Sequence, residues 1–366
     1  MITQKTILFL IPHLGGGGAE RVTAHLASGL PESRFHVHLG LVTLLSIGAD
    51  ALPARVTVHR LGASRVRTAA WPLLRLVWRL KPDLIFSNMF HLNFLVLLLR
   101  PFFPHRTRLI IRQNGMTSSD TGTRRFTRAL YRILYPGADR VVCQSDAMAA
   151  EMRNLLGSAR NLYVLPNPVV TEWESPHEDS GNLWCRPGPH LLAVGRLTRQ
   201  KGFDMLLPAF QQILQAFPEA ELTILGEGPE EAALRAMSSD LGIEEHVHFA
   251  GYVEKPHTWF PGASAFVLSS RHEGIANALL EAAAAGLPIV STPALGGVVE
   301  LLDCAPGAWL ACDISTEALA ESLLVALDSL HDGQRFSHPW LSTFRMENAL
   351  PQFERLIGEV LEGTPA

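Results

Sequence analysis

The chain has 366 residues, 47% hydrophobic and 18% charged, which supplies apolar material for two buried cores of ordinary size. No uncharged stretch is long enough to span a bilayer as a helix, residues 1–10 carry no secretory pattern, and the four cysteines (Cys143, Cys185, Cys304, Cys312) form no CxxC pair; this argues against a disulfide framework or a cysteine metal site and for free thiols in a reducing cytoplasm. The net charge of −4 conceals a split, +13 over residues 1–168 and −17 over residues 169–366, so the basic half is suited to an anionic partner.

In chain order, apolar runs alternate with helical patterns. Strands are expected at 6–14, 36–44, 56–61, 82–88, 107–115, 138–145 and 161–169. Helices are expected at 19–30, at 72–81 (basic and amphipathic) and at 91–102 (very apolar). Such alternation implies a parallel sheet covered on both faces. Residues 169–189 lose the periodicity, are acidic and rich in Pro and Gly, and read as a linker between a domain at 1–168 and a second at 190–345. The second domain repeats the alternation, with strands at 190–195, 221–226, 247–253, 264–270 and 288–292 and helices at 203–216, 229–241 and 276–285. Pro208 should kink the first of these helices or mark a short first turn, and Asp204 could help begin it. Residues 346–363 read as a helix interrupted at Pro351, expected to pack back on the first domain. Two tandem α/β domains suggest a cleft between them.

Three segments carry chemistry. Gly15 to Gly18 follow the first strand and precede a helix, so backbone N–H groups can approach an anion there, although Glu20 stands where a dinucleotide fingerprint needs glycine and is odd for a bare phosphate cradle. Arg196 and Lys201 leave the end of a strand just before a helix, a placement suited to a diphosphate. Glu273 lies on a strand-to-helix loop and Glu281 two turns into the following helix, at the carboxyl end of a strand where open α/β folds bind ligands. Either acid alone could be solvated surface; the ordered set argues otherwise.

The ordered set resembles family 4 of the retaining glycosyltransferases. The matching segments are "GGAE" (17–20), "PNPV" (166–169), "GRLTRQKG" (195–202), "LGEGP" (225–229), "FAGYV" (249–253), "EGIANALLEAAAAGLPIVST" (273–292) and "GGVVELL" (296–302), nearly the whole chain. The resemblance implies an α/β GT-B fold, two Rossmann-like domains facing a central cleft. It implies that Arg196 and Lys201 hold the donor diphosphate and Gly17 and Gly18 add backbone donors. Glu281 would bind ribose, Glu273 the transferred sugar, Tyr252 and Val253 would lie by the base, and Gly296 and Gly297 would let backbone approach the ligand. Asn114 stands where many relatives carry histidine, which argues against acid/base work there; His91 and Asn114 are kept as sugar or acceptor contacts.

The resemblance further implies a hexosyl- or N-acetylhexosaminyltransferase with no cofactor and no metal, taking a UDP-sugar ahead of a GDP-sugar. The departing phosphate would receive the acceptor's proton. The Arg- and Trp-rich segment 65–81 and the run 92–108 suggest an anionic membrane surface, hence a cytoplasmic enzyme held at the inner face of the cell membrane and acting on a lipid-linked or cell-surface glycan. Nucleic acid is disfavoured, since no recognition motif is present. The rival readings are a sugar-nucleotide epimerase on the same fold and a silent nucleotide-binding partner subunit.

Overall fold

The computed structural model describes residues 4–15, 17–43, 52–115, 125–158, 160–169 and 187–363; most of the expected linker, with Cys185, lies outside them. The chain divides into two units, Met1–Pro168 with Met346–Ala366, and Val169–Arg345.

Unit 1 contains β1 (Lys5–Ile11), α1 (Gly18–Gly29), β2 (Phe35–Leu41), β3 (Val56–Arg60), α2 (Ala70–Leu80), β4 (Leu84–Asn88), α3 (Phe90–Leu99), β5 (Arg108–Arg112), α4 (Arg125–Leu134), β6 (Arg140–Cys143), α5 (Asp146–Leu156) and β7 (Leu162–Val164). Its strands pair in parallel in the order β3-β2-β1-β4-β5-β6-β7. The central strands are continuous apolar runs because both faces are covered. Successive side chains alternate between two cores: Leu8, Leu10, Ile85, Leu109 and Ile111 enter one, while Ile7, Phe9, Phe86 and Ile110 enter the other. The second core is completed by the terminal helix Met346–Glu362, whose Phe353 ring lies 6.0 Å from Phe9 and 5.2 Å from Phe86.

Unit 2 contains β8 (His190–Val194), α6 (Phe203–Ala216), β9 (Glu221–Leu225), α7 (Glu231–Asp240), β10 (Val247–Gly251), β11 (Ala265–Leu268), β12 (His272–Glu273), α8 (Asn277–Ala284), β13 (Ile289–Ser291), β14 (Leu295–Gly296), α9 (Val298–Leu302), β15 (Ala308–Leu310) and α10 (Thr316–Ser329). Six of its strands form a parallel sheet in the order β10-β9-β8-β11-β13-β15, and β12 pairs with β14. In both sheets the strand order reverses once among the described strands, between β1 and β4 and between β8 and β11. Such a switch point opens a crevice at the strands' carboxyl ends.

The structure departs from the sequence expectations in two respects. First, α4, α5, α9, α10, β12, β14 and β15 have no counterpart in the expected elements. Two of these helices carry plain start signals, for Ser145 and Ser315 accept hydrogen bonds from Met148 N and Ala318 N as N-caps, and Gly157 ends α5 at φ 70°. Second, the terminal helix runs on through Pro351 without the expected interruption, while α6 holds Pro208 inside the expected span 203–216. Each proline is the sixth residue of its helix, so the lost N–H would have bonded a first-turn carbonyl beside the helix end. Asp204 lies in the first turn of α6, where an acid favours the helix start, the N-cap being Gly202 without a side-chain bond, and Asp204 also serves an arginine described below.

At the edge of unit 1, Arg79 Nη2 lies 3.1 Å from His59 Nδ1, and His59 Nε2 lies 3.0 Å from His38 Nδ1. A guanidinium only donates, so His59 accepts at Nδ1 and donates from Nε2, and both rings are neutral in this arrangement. Burial first, then neighbouring positive charge, lowers both histidines from the ordinary 6.5. Burial likewise lowers His25 and His338. The unfolded chain therefore binds more protons below pH 6.5, and stability present above that value is lost as pH falls through the lowered folded values. Calorimetric melting should show Tm falling between pH 7 and pH 5, less steeply in His59→Gln; an identical slope would remove this pair as a cause.

Candidate functional site

The loop after β8 is built to hold its basic residues against the loop after β11. Gly202, at φ 68°, lies so close to Ser269 that a Cβ would stand 2.0 Å from its carbonyl oxygen. Ser269 Oγ donates to Lys201 O at 2.8 Å, Arg271 N to Gln200 O at 2.8 Å, and Gln200 Nε2 to His272 O at 3.0 Å. Arg271 grips Asp204 with two bonds, 2.7 and 2.8 Å, and donates to Arg199 O at 2.7 Å, so Asp204, in the first turn of α6, also pins the loop. The glycines of "LGEGP" serve the same packing: a Cβ on Gly226 would meet Gly195 O at 2.0 Å, and one on Gly228 would meet Leu197 O at 2.2 Å.

These clamps bring Lys201 and Glu273 together. Lys201 Nζ donates to Glu273 Oε1 at 2.5 Å, and Ser270 Oγ donates to the same oxygen at 2.8 Å. Both bonds end on Oε1, so neither uses Oε2. Glu273 is only 7% exposed and Glu281 8%, so the solvated-acid reading fails for both. Arg196 is exposed, and no side-chain bond holds it among the described residues, unlike Lys201. Gly296 pairs with Glu273 in the β12–β14 ladder, and Gly297 N donates to Gly274 O at 3.0 Å, so both glycines hold the Glu273 loop from beneath. Tyr252 is exposed, with its backbone N donating to Glu227 Oε1 at 3.3 Å, and Val253 packs on the core under α8.

In unit 1 the glycine loop and Asn114 stand at the ends of β1 and β5. Gly17 is the N-cap of α1 and Gly18 its first residue. Glu20 folds back over them: a Cβ on Gly17 would meet Glu20 Oε2 at 2.4 Å, and His13 Nδ1 lies 3.6 Å from Glu20 Oε1. Its buried carboxylate therefore takes the place at the helix amino end that favours negative charge, which accounts for an acid in this loop. His91 is exposed and stacks edge-on against Phe90 at 4.8 Å. Asn114 is half-buried and bonded to Asn88 and Gln144. Sequence reasoning missed these two partners, along with Asn167 and Arg112, although each is a polar residue closing an apolar strand. Met89, beside Asn88, sits at φ 84°, a strained conformation for a residue with a side chain, and its N–H donates to Asn88 Oδ1 at 3.0 Å.

Two parallel-sheet α/β units, with a lysine–glutamate pair and a second buried glutamate at one switch point, define a ligand-binding protein of the two-domain Rossmann-like class. Residues 188–329 match the family model for glycosyl transferases group 1, and residues 16–173 match that for glycosyltransferase family 4. The chain belongs to this family of glycosyltransferases. It is 25% identical over 253 residues to an uncharacterised glycosyltransferase of Methanocaldococcus jannaschii, a match spanning 65% of this chain and 62% of that protein's length. It is 26% identical over 303 residues to the amylovoran biosynthesis glycosyltransferase AmsD of Erwinia amylovora, covering 81% and 83% of the two chains. Among solved structures, Anabaena HepE in complex with UDP-glucose superposes with a TM-score of 0.78 at 18% identity, covering 97% of this chain and 100% of that one, and the shared fold is that of the B-type glycosyltransferases.

Proposed function

We propose that the chain is a retaining glycosyltransferase that moves a hexosyl or N-acetylhexosaminyl group from a nucleotide sugar to a hydroxyl of a lipid-linked or cell-surface glycan. The Lys201–Glu273 pair carries this reading: a cation and a carboxylate held on one another by three clamped loops, at the place where a donor's diphosphate and sugar meet. Lys201, with Arg196 swinging in from solvent, stabilises the charge that grows on the diphosphate as the C1–O bond breaks. The acceptor oxygen bonds to C1 from the same face, and its proton goes to the departing phosphate. Glu273 Oε2 takes a sugar hydroxyl, Glu281 the ribose hydroxyls, and the backbone at Tyr252 and Val253 the base. A UDP-sugar is placed ahead of a GDP-sugar, in keeping with the UDP-glucose held by Anabaena HepE. Gly17 and Gly18 add backbone donors, with Glu20 turning aside when an anion binds. The protein chain supplies the positive charge in this scheme, so it assigns no metal and no cofactor.

The acceptor side of the reading places unit 1 on an anionic lipid surface at the inner face of the cell membrane. No helix among the described residues is long and apolar enough to cross a membrane. Among the described residues of unit 1, six large apolar side chains are nevertheless exposed, and all lie on α2, α3 with the turn after it, and α4: Trp71 (73%), Trp78, Leu98, Phe102, Phe126 and Ile133. Residues 62–137 hold 13 Arg and Lys against two Asp, the charge an anionic surface attracts. Flotation on phosphatidylglycerol vesicles at low salt should carry the protein upward, and Trp71→Ser with Phe126→Ser should leave it at the bottom; equal flotation on neutral vesicles would contradict the charge argument.

A melting screen with UDP, GDP and their sugars tests the donor reading. The matching nucleotide sugar should raise Tm by mass action, and Glu281→Ala should abolish the rise. No shift with any nucleotide would count against the whole reading.

A further inference from the structure

Two side chains among the described residues donate to Glu273 Oε1, Lys201 from Nζ at 2.5 Å and Ser270 from Oγ at 2.8 Å. The two differ in what else they can do. Lys201 carries three N–H groups on a flexible stem, and a diphosphate draws its charge. Ser270 has a single O–H proton, is 0% exposed, and spends that proton on Glu273.

The backbone at Ser270 is tied down from several sides. Thr292, which follows β13 and is itself 0% exposed, donates from Oγ1 to Ser270 O at 2.6 Å and from N to Leu268 O at 3.0 Å. Arg271, the next residue, donates from N to Gln200 O at 2.8 Å and accepts at O from Leu295 N at 3.1 Å. The serine hydroxyl therefore stands on a fixed base. A bond from it to Oε1 stops the carboxylate turning about Cγ–Cδ, so Oε2 keeps its direction. Before a donor binds, Lys201 gives the same support. Once its ammonium turns to the diphosphate, that support is shared or lost, and a carboxylate 7% exposed has few other partners within reach.

We propose that Ser270 is a positioning residue: its hydroxyl, anchored through Thr292, holds Glu273 Oε1 while Lys201 serves the diphosphate, so that Oε2 stays aimed at a hydroxyl of the transferred sugar. The proposal rests on the reading that Glu273 meets that sugar.

Ser270→Ala removes the hydroxyl and little volume. UDP carries the ribose and the diphosphate but no sugar, so it separates the hold on Glu273 from the shape of the loop. Its Kd by calorimetric titration should stay within about two-fold of the wild type, while kcat/KM for UDP-glucose, with a cell-lipid extract as acceptor, should fall about ten-fold, the scale of one lost hydrogen bond. Losses in step for UDP and UDP-glucose would mean that the whole loop has moved, and overturn the proposal. A wild-type kcat/KM overturns it too, and melting at pH 8 then shows which part has failed. Because Lys201 and Ser270 hold one oxygen, Ser270→Ala should lower Tm roughly twice as far in the Lys201→Met background as in the wild type. Such coupling beside a wild-type kcat/KM faults the sugar reading of Glu273, whereas equal drops fault the hold by Ser270. A wild type that releases no UDP from UDP-glucose faults the choice of donor, and the melting comparison then decides: coupled drops uphold the hold on Glu273, and equal drops overturn it.

Discussion

Lys201→Ala should lower turnover of the nucleotide sugar about 10²- to 10³-fold, the usual consequence of removing one fixed group that meets developing charge. The lysine does not act alone. Its ammonium is held 2.5 Å from Glu273 Oε1 within a loop fastened by Ser269, Gln200 and Arg271. Alanine therefore removes the cation and leaves a 7% exposed carboxylate with Ser270 as its remaining partner. Breaking a buried pair from one side costs about 3 kcal/mol or more of stability, so lost turnover must be separated from lost fold. The double variant Lys201→Met with Glu273→Gln removes both charges, and its Tm should recover toward the wild type while its turnover stays low. Comparing the wild type, Lys201→Met, Glu273→Gln and the double variant by Tm and by nucleotide release decides the matter. Turnover that recovers together with Tm would make the pair a structural strut.

Gly296→Ala should be nearly as damaging without touching any charged group. Gly296 sits at φ 124°, and a Cβ there would stand 1.7 Å from Glu273 O. The contact is with backbone already committed to the β12–β14 ladder, so no side-chain rotation relieves it. Either the strand carrying Glu273 moves or the 295–297 turn does. A displacement of about 1 Å at a positioning group costs on the order of 10²-fold in rate, and the strained backbone adds about 1–3 kcal/mol of destabilisation. A wild-type rate with a wild-type Tm would show that the ladder does not place the carboxylate.

The sequence made the two sheets legible because their central strands are buried on both faces and appear as unbroken apolar runs such as "ILFLI". Two of the helices that escaped, α5 and α10, announce themselves through Ser145, Ser315 and Gly157, so their absence from the expectations reflects unused signals, not missing ones. The terms of the site that were legible are the ones chemistry makes rare: paired acids, and cations just before a helix. What sequence could not show is who binds whom. Asp204 stands in the first turn of a helix and is also a clamp for Arg271; Glu20 looks misplaced and covers Gly17. Asn88, Asn114, Gln144 and Asn167 hydrogen-bond in succession from four places far apart in sequence, which only the folded sheet brings together.

The most direct test of glycosyl transfer by this chain is a proton NMR time course with a nucleotide sugar and a cell-lipid acceptor extract. A new glycosidic anomeric signal keeping the donor's configuration should appear together with free nucleoside diphosphate, and both should be lost in Lys201→Ala. A donor whose sugar is isomerised without acceptor, or a product of inverted configuration, would contradict it.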